Sequence, residues 1–229
     1  MCFSATGSFA GAAVLAVIGS TSLARNASTP LRMFAAIPLL FAVQQAAEGI
    51  VWLTMDQPDE ALLQRLAVNT FLGFALLVWP LWLPLSLRRV EHHAARRQAL
   101  LGLCCAGAMV SIYGSVLLLR WHPIAQVAGH SIRYLYSPGS GDLNPGFYLA
   151  AYAIPTVLPF FVSSASLART TGFALILSLA AAIIVERDAL TSVWCFFAAI
   201  LSGLVLMAVM REQSRLPEPH LLPVAPGAG

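Results

Sequence analysis

The sequence predicts an all-α protein, a polytopic transmembrane bundle of seven helices. Three observations lead to this prediction: a composition that is 59% hydrophobic and only 10% charged, seven long apolar stretches, and an uneven distribution of arginine among the connections between them. Soluble domains carry charges on about a quarter of their residues, so the composition excludes an ordinary soluble domain.

Each apolar stretch has the roughly 17 to 25 residues that a membrane-spanning helix requires. The predicted spans are 6–24, 33–54, 66–87, 99–119, 147–165, 170–186 and 191–210. Since they use most of the chain, we expect a single transmembrane domain over 1–211 and a disordered tail over 212–229. The last two spans are separated only by a short charged turn at Glu186, Arg187 and Asp188.

The arginines predict the orientation of the bundle. The first, third and fifth connections and the tail carry Arg25, Arg32, Arg88, Arg89, Arg96, Arg97, Arg169, Arg211 and Arg215, whereas the other connections carry Arg65, Arg120, Arg133 and Arg187. Because short cytoplasmic connections are enriched in basic residues, the C-terminus is predicted to be cytoplasmic. With an odd number of spans, the N-terminus is then outside.

Composition also excludes some classes of function. All the Lys and Arg positions are arginine, and without lysine the chain cannot form a Schiff base with retinal or pyridoxal phosphate. The net charge of +3 is too small to indicate nucleic-acid binding.

Glu48 is the carboxylate that lies well inside an apolar span. A charged group at mid-span costs about 2.5 to 3.5 kcal/mol on insertion scales, so such groups face the bundle interior and are paired or functional. Gln44, Glu48 and Trp52 lie four residues apart on one helical stripe. This stripe has two interpretations: its polar groups hydrogen-bond between helices, or Glu48 is a functional carboxylate.

Other polar residues fall in the outer halves of the predicted spans and in the long connection 120–146. This asymmetry predicts an outward-facing pocket with Glu48 at its floor and the 120–146 connection as its roof. The candidate ligand-binding residues are Gln44, Gln45, Trp52, Asn69, Tyr134 and Trp194.

Three chemistries would suit such a pocket. A zinc or copper ion would be held by residues from Glu48, His122, His130, Cys2 and Cys195, although no local metal-ligand spacing fixes the set. Alternatively, Glu48 and His130 would form a metal-free catalytic acid/base pair, or the pocket would bind or pass a small solute. Cys2 and Cys195 both map to the outer side, where an oxidising compartment would permit a disulfide instead.

A non-catalytic alternative also follows from the sequence. Gly7 and Gly11 form a small-xxx-small pair that permits close approach of another helix, and a homo-oligomer could form through this face. In that case the buried polar groups would serve a structural or accessory membrane subunit.

Four segments together resemble a family of bacterial integral membrane proteins that is known only as a domain of unknown function. They are Met1–Ala5, Gln44–Gly49 with Trp52, Gly129–Tyr134 and Ser192–Ala199. The resemblance spans nearly the whole chain to about residue 210 and implies a multi-pass protein of the bacterial inner (plasma) membrane. It implies no reaction, since no activity is established for the family.

Overall fold

The computed structural model describes residues 4–25, 29–55, 57–129, 131–136, 145–165, 167–185 and 202–213. Nearly all of these residues are helical, which confirms the predicted helical class. The α-helices are α1 (Ala5–Ala24), α2 (Thr29–Ala35), α3 (Ile37–Thr54), α4 (Ala61–Gly73), α5 (Trp79–Val90), α6 (Ala94–Trp121), α7 (Pro145–Val162), α8 (Ala168–Val185) and α9 (Ser202–Gln213). A 3-10 turn at Pro58–Glu60 precedes α4, and a π-helix at Phe74–Val78 joins α4 to α5.

Four helical segments are long and apolar enough to cross a membrane. They are Ala5–Ala24, Pro30–Thr54, Pro58–Val90 and Ala94–Trp121, and the apolar helices at Tyr148–Val162, Ala168–Ile184 and Ser202–Arg211 are shorter. Helices cover most of the first six predicted stretches, although α7 ends at Val162 rather than at residue 165, and α9 covers the described end of the seventh. The predicted turn at Glu186 to Asp188 lies outside the described residues.

The purely α-helical prediction missed a β-hairpin in the connection between α6 and α7. Strand β1 (Ile124–Ala128) pairs antiparallel with β2 (Ser131–Leu135), and Ala128 is opposite Ser131. Gly129 has a φ of 62°, the left-handed conformation that a two-residue hairpin turn requires. Ile132 of this hairpin is fully buried, so the hairpin packs onto the bundle.

Two prolines shape the contact between α5 and α6. Pro80 has no N–H and cannot donate the usual helical hydrogen bond to the Leu76 carbonyl four residues earlier. Pro84 likewise cannot donate to the Pro80 carbonyl. On α6, a Cβ at Gly114 would lie 3.1 Å from the Leu76 oxygen, and one at Gly107 would overlap the Pro80 oxygen. The two glycines therefore bring α6 close to both carbonyls, where Cα–H···O contacts can form.

Apolar side chains are exposed on the outside of the bundle as well as buried in its core. Large aliphatic and methionine side chains point outward, including Val17, Met109, Leu119, Leu177 and Ile184, which are 67% to 83% exposed. Several polar side chains are buried within this apolar interior, among them Ser8, Ser22, Gln44, Gln45, Glu48 and Ser111.

The basic end of the bundle is where α1, α5 and α9 end and α6 and α8 begin. Arg25 Nη1 lies 4.0 Å from the sulfur of Met210, which joins the end of α1 to α9. Arg96, Arg169 and Arg211 line one cavity there. The opposite end of the bundle, called the hairpin end, contains the hairpin, the end of α3 and the start of α4.

In α1, Gly11 is buried and Gly7 is half-buried within the chain. Oligomerisation through this face stays a prediction.

Candidate functional site

Glu48 lies on the buried face of α3. Its side chain is 0% exposed, and Gln45, also buried, donates a hydrogen bond from Nε2 to Glu48 Oε2 at 3.4 Å. Neighbouring Gly49 allows α1 to approach α3 closely, because a Cβ at Gly49 would lie 2.9 Å from the ring of Phe9 in α1. A buried carboxylate is thus held with an amide beside it, and whether it is functional or bonds helices together stays a prediction.

Gln44, one residue before Gln45, links three chain segments. Its Oε1 accepts a hydrogen bond from Trp79 Nε1 at 2.7 Å, and its Nε2 donates to the carbonyl oxygen of Phe71 at 3.4 Å. The indole of Trp79 also stacks on Phe41 of α3, with ring centroids 3.9 Å apart. These contacts use the Gln44 amide to join α3 to α4 and α5, so Gln44 has a structural role here.

The chain widens into a π-helix at Phe74–Val78, beside these polar residues. Carbonyls in and before this stretch accept side-chain hydrogen bonds from other helices. Tyr152 donates to Ala75 at 2.7 Å, and Ser111 donates to Leu77 at 2.8 Å. π-Helical turns are often found at functional sites. Sequence reasoning placed Tyr152 among the outer polar residues and Trp79 in an inner aromatic belt, and it did not bring the two to one region. Only Pro80, which follows the π-helix, signalled an irregular backbone.

The hairpin covers the neighbouring apolar cluster. Ile132 packs with Ala47 and Val51 of α3, which flank Glu48 along the chain, and with Phe71 of α4. Tyr134 stacks on Phe71, with ring centroids 5.0 Å apart and an angle of 17° between the planes. The predicted roof segment therefore packs on the same part of α3 that carries Glu48.

Two buried donors lie against this cluster. Trp52 and Tyr148 both pack on it, and in the described part of the chain neither Trp52 Nε1 nor the Tyr148 hydroxyl has a hydrogen-bond partner. An unsatisfied buried donor costs about 1 to 3 kcal/mol. Such groups are candidates for contact with a ligand.

Tyr136, which follows the hairpin, belongs to the same end of the bundle. Burial raises its pKa to about 12, with a further contribution from nearby Tyr113. The phenol therefore stays neutral at physiological pH and can act as a hydrogen-bond donor.

Asn69 and His122 share a different cavity, of about 420 Å³, together with Arg65 and Ser115. His122 is exposed and ends α6 in the left-handed conformation, at φ 38°. Glu48 is absent from the described lining of this cavity. The structure thus brings together His122 with Asn69, and Glu48 with Gln45, as two separate groups.

Four of the predicted site residues, Cys2, His130, Trp194 and Cys195, lie outside the described residues. Among the described residues, no three His, Cys, Asp or Glu side chains come together as a metal site would require. The predicted metal site, the acid/base pair of Glu48 with His130, and the disulfide of Cys2 with Cys195 therefore stay predictions. Cys104 and Cys105, on α6, are free thiols.

At the basic end, Glu91 is a buried carboxylate that the sequence analysis did not single out. It is 3% exposed and accepts hydrogen bonds from the Ser164 backbone N–H at 2.6 Å, the Ser164 hydroxyl at 2.8 Å and the His93 N–H at 2.9 Å. Burial alone would raise its pKa, but the hydrogen bonds from Ser164 and His93, with the charge of Arg96, lower the pKa below its ordinary value. An ionised Glu91 thus ties the α5–α6 connection to the α7–α8 connection.

Comparison with known proteins identifies the family but no activity. No curated protein and no solved structure matches the chain. The sequence profile of a family of unknown function (DUF6629) matches residues 1–220, nearly the entire chain, so the protein belongs to this family.

Proposed function

We propose that this chain is a multi-pass integral membrane protein of seven spans that binds a small polar ligand or a metal ion near Glu48. Its N-terminus is outside and its C-terminus is in the cytoplasm. The observation that carries the binding proposal is the complete burial of Glu48 and Gln45 in an otherwise apolar helical segment.

Two features support the membrane location. Four helical segments have the length and composition of spans. In addition, the outer surfaces of α6 and α8 carry exposed side chains such as Met109, Ile112, Phe173 and Leu177, each at least 65% exposed. An aqueous surface would make these side chains an aggregation liability, whereas lipid accommodates them.

The neighbours of Glu48 support a binding role over a purely structural one. A carboxylate that only bridges helices costs more to bury than an amide, and Gln44 already joins α3 to α4 and α5. Near the same end, the buried indole N–H of Trp52 has no partner in the described part of the chain. An acceptor and a donor thus lie four residues apart on one helical stripe, which suits a ligand with both kinds of polar atom.

The exchange of Glu48 for glutamine tests this proposal. Glu48→Gln keeps the shape of the side chain and an acceptor for Gln45, but removes the charge that a metal ion or cationic ligand needs. We expect the purified native protein to carry stoichiometric metal in elemental analysis, or a bound small molecule in native mass spectrometry. Glu48→Gln should lose this component while the melting temperature stays close to that of the native protein.

Glu60→Gln is the matched control, because Glu60 is an exposed carboxylate in the turn after α3. It should retain the bound component. A native protein without metal or bound molecule would contradict the proposal, and so would equal occupancy in Glu48→Gln.

Cysteine labelling tests the topology. In a chain whose four native cysteines are replaced, Ile124→Cys on the hairpin and Arg97→Cys at the basic end both introduce thiols at exposed positions. We expect a membrane-impermeant reagent to label Ile124→Cys in intact cells and Arg97→Cys only after permeabilisation. The reverse pattern would invert the proposed orientation.

A further inference from the structure

We infer that the basic end of the bundle holds a binding site for a phosphate-bearing anion, either the headgroup of an anionic phospholipid or a free phosphate. The site is separate from Glu48 and goes beyond the proposed function. It is a cavity of about 410 Å³ lined by the side chains of Arg96, Arg169 and Arg211. This volume is within the range of small-molecule sites, roughly 300 to 1,000 Å³.

The convergence of the three arginines is the main observation. They come from the start of α6, the start of α8 and the end of α9, which are far apart in the sequence. A preference for basic residues on the cytoplasmic side requires arginine in these connections, but it does not require that three of them line one cavity. Like charges brought together repel each other unless an anion is present.

The nearby carboxylate offsets only part of this charge. Glu91, the acidic group that the described residues place beside the cavity, directs its oxygens to the Ser164 N–H, the Ser164 hydroxyl and the His93 N–H. Arg96 attracts Glu91 electrostatically, but the described lining of the cavity contains three arginines and no carboxylate. The cavity wall therefore has an excess of positive charge, which an anion would balance.

Two further features of the cavity wall suit phosphate. The first turn of α8, with Ala168, Arg169 and Thr170, forms part of the lining. The positive end of the α8 dipole and the N–H groups of its first turn favour an anion there. Arginine provides planar, paired donors that match two phosphate oxygens. The hydroxyl of Thr170 adds a donor at the same wall.

The test uses the full chain, purified in a non-ionic detergent, and measures both the melting temperature and bound mass in native mass spectrometry. One arm adds phosphatidylglycerol, with phosphatidylcholine as the zwitterionic comparison, and the other adds inorganic phosphate against chloride at equal ionic strength. We expect phosphatidylglycerol, phosphate or both to raise the melting temperature, since ligands that bind the folded state stabilise it. A response to phosphatidylglycerol alone assigns the site to lipid, and a response to phosphate alone assigns it to a soluble anion.

The double variant Arg96→Ala, Arg169→Ala should weaken the responding ligand at least tenfold. Arg97→Ala is the matched control, because Arg97 is an exposed arginine next to Arg96 on α6 and does not belong to the described lining. If the double variant does not fold, Arg169→Ala alone, at an exposed position, should weaken binding at least threefold. The inference is overturned if neither anion stabilises the native protein, if binding survives the loss of the cavity arginines, or if Arg97→Ala weakens it equally.

Discussion

Gly107 of α6 lies directly against the carbonyl oxygen of Pro80 in α5, so closely that a Cβ at position 107 would overlap this oxygen. The carbonyl receives no helical hydrogen bond from residue 84, which is also proline. The Pro80 carbonyl, which lacks a helical hydrogen bond, is thus covered by the α-carbon of Gly107. The contact fixes the distance between α5 and α6, and with it the position of the π-helix that precedes α5.

Gly107→Ala should therefore destabilise the protein strongly. The added methyl group meets rigid backbone, and overpacking of this kind costs about 1 to 3 kcal/mol or more. Gly102→Ala is the matched control on the same helix, because nothing lies within 4 Å of its Cβ position. Alanine should stabilise that exposed helical position by roughly 0.5 to 1 kcal/mol. Melting temperatures of the two purified variants check the prediction, and similar values for both would refute it.

The hydrogen bond between Trp79 and Gln44 gives a second prediction. Gln44→Leu leaves the buried indole N–H of Trp79 without its acceptor, which should cost about 1 to 3 kcal/mol of unfolding free energy. Trp79→Phe removes the donor and keeps an aromatic ring beside Phe41. In a double-mutant cycle, the two changes should be coupled by about 1 kcal/mol, because the second removes the unsatisfied group that the first creates. Additive effects would show that this bond does not contribute.

The packing of the hairpin on α3 and α4 gives a third prediction. Ile132 is 0% exposed and packs among residues of α3 and α4, whereas Ile124 of the same hairpin is 56% exposed. Ile132→Ala should lower the unfolding free energy by roughly 2 to 5 kcal/mol, and Ile124→Ala by less than about 0.5 kcal/mol. Limited proteolysis should also cleave the hairpin faster in Ile132→Ala. Equal protection in both variants would mean that the hairpin does not depend on this contact.

The helical class and the candidate carboxylate could be predicted from the sequence, because both depend on local signals. Apolar stretches of span length predict helices without tertiary information. A single carboxylate in such a stretch has a high free-energy cost of insertion, which makes it easy to identify, and Glu48 is fully buried. The register of Gln44 and Glu48 on one stripe likewise follows from helical periodicity alone.

The rest of the region depends on contacts between residues far apart in the chain. The hairpin was not predicted because its strands are short and their apolar residues also suit a membrane interface. Nothing in the sequence paired Tyr152 with the Ala75 carbonyl, since that bond depends on the widened turn at Phe74–Val78. Glu91 was overlooked because a charged residue in a polar connection is ordinarily solvated. Its burial arises only when Ser164 is brought to it by the packing of α7 against α5.

Glu91 should make the stability of the protein depend on pH in the acid range. Its pKa is lower in the folded chain than its ordinary value of 4.5, because the hydrogen bonds from Ser164 and His93 outweigh the effect of burial. The unfolded chain therefore binds the proton more tightly. The stabilisation is fully present above pH 4.5 and is lost as the pH falls through the folded pKa.

Glu91→Gln should remove this dependence. At neutral pH the variant should be less stable by roughly 1.5 to 3 kcal/mol, because hydrogen bonds to a charged acceptor become bonds to a neutral amide. As the pH falls below 4.5, the native protein should lose stability and the difference between the two should shrink. Glu60→Gln, at an exposed position, should leave both the stability and its pH profile unchanged. Chemical unfolding in detergent between pH 3 and 7, at roughly unit intervals that bracket the carboxyl range, measures the difference. A constant gap between native and Glu91→Gln would show that folding does not lower the pKa of Glu91.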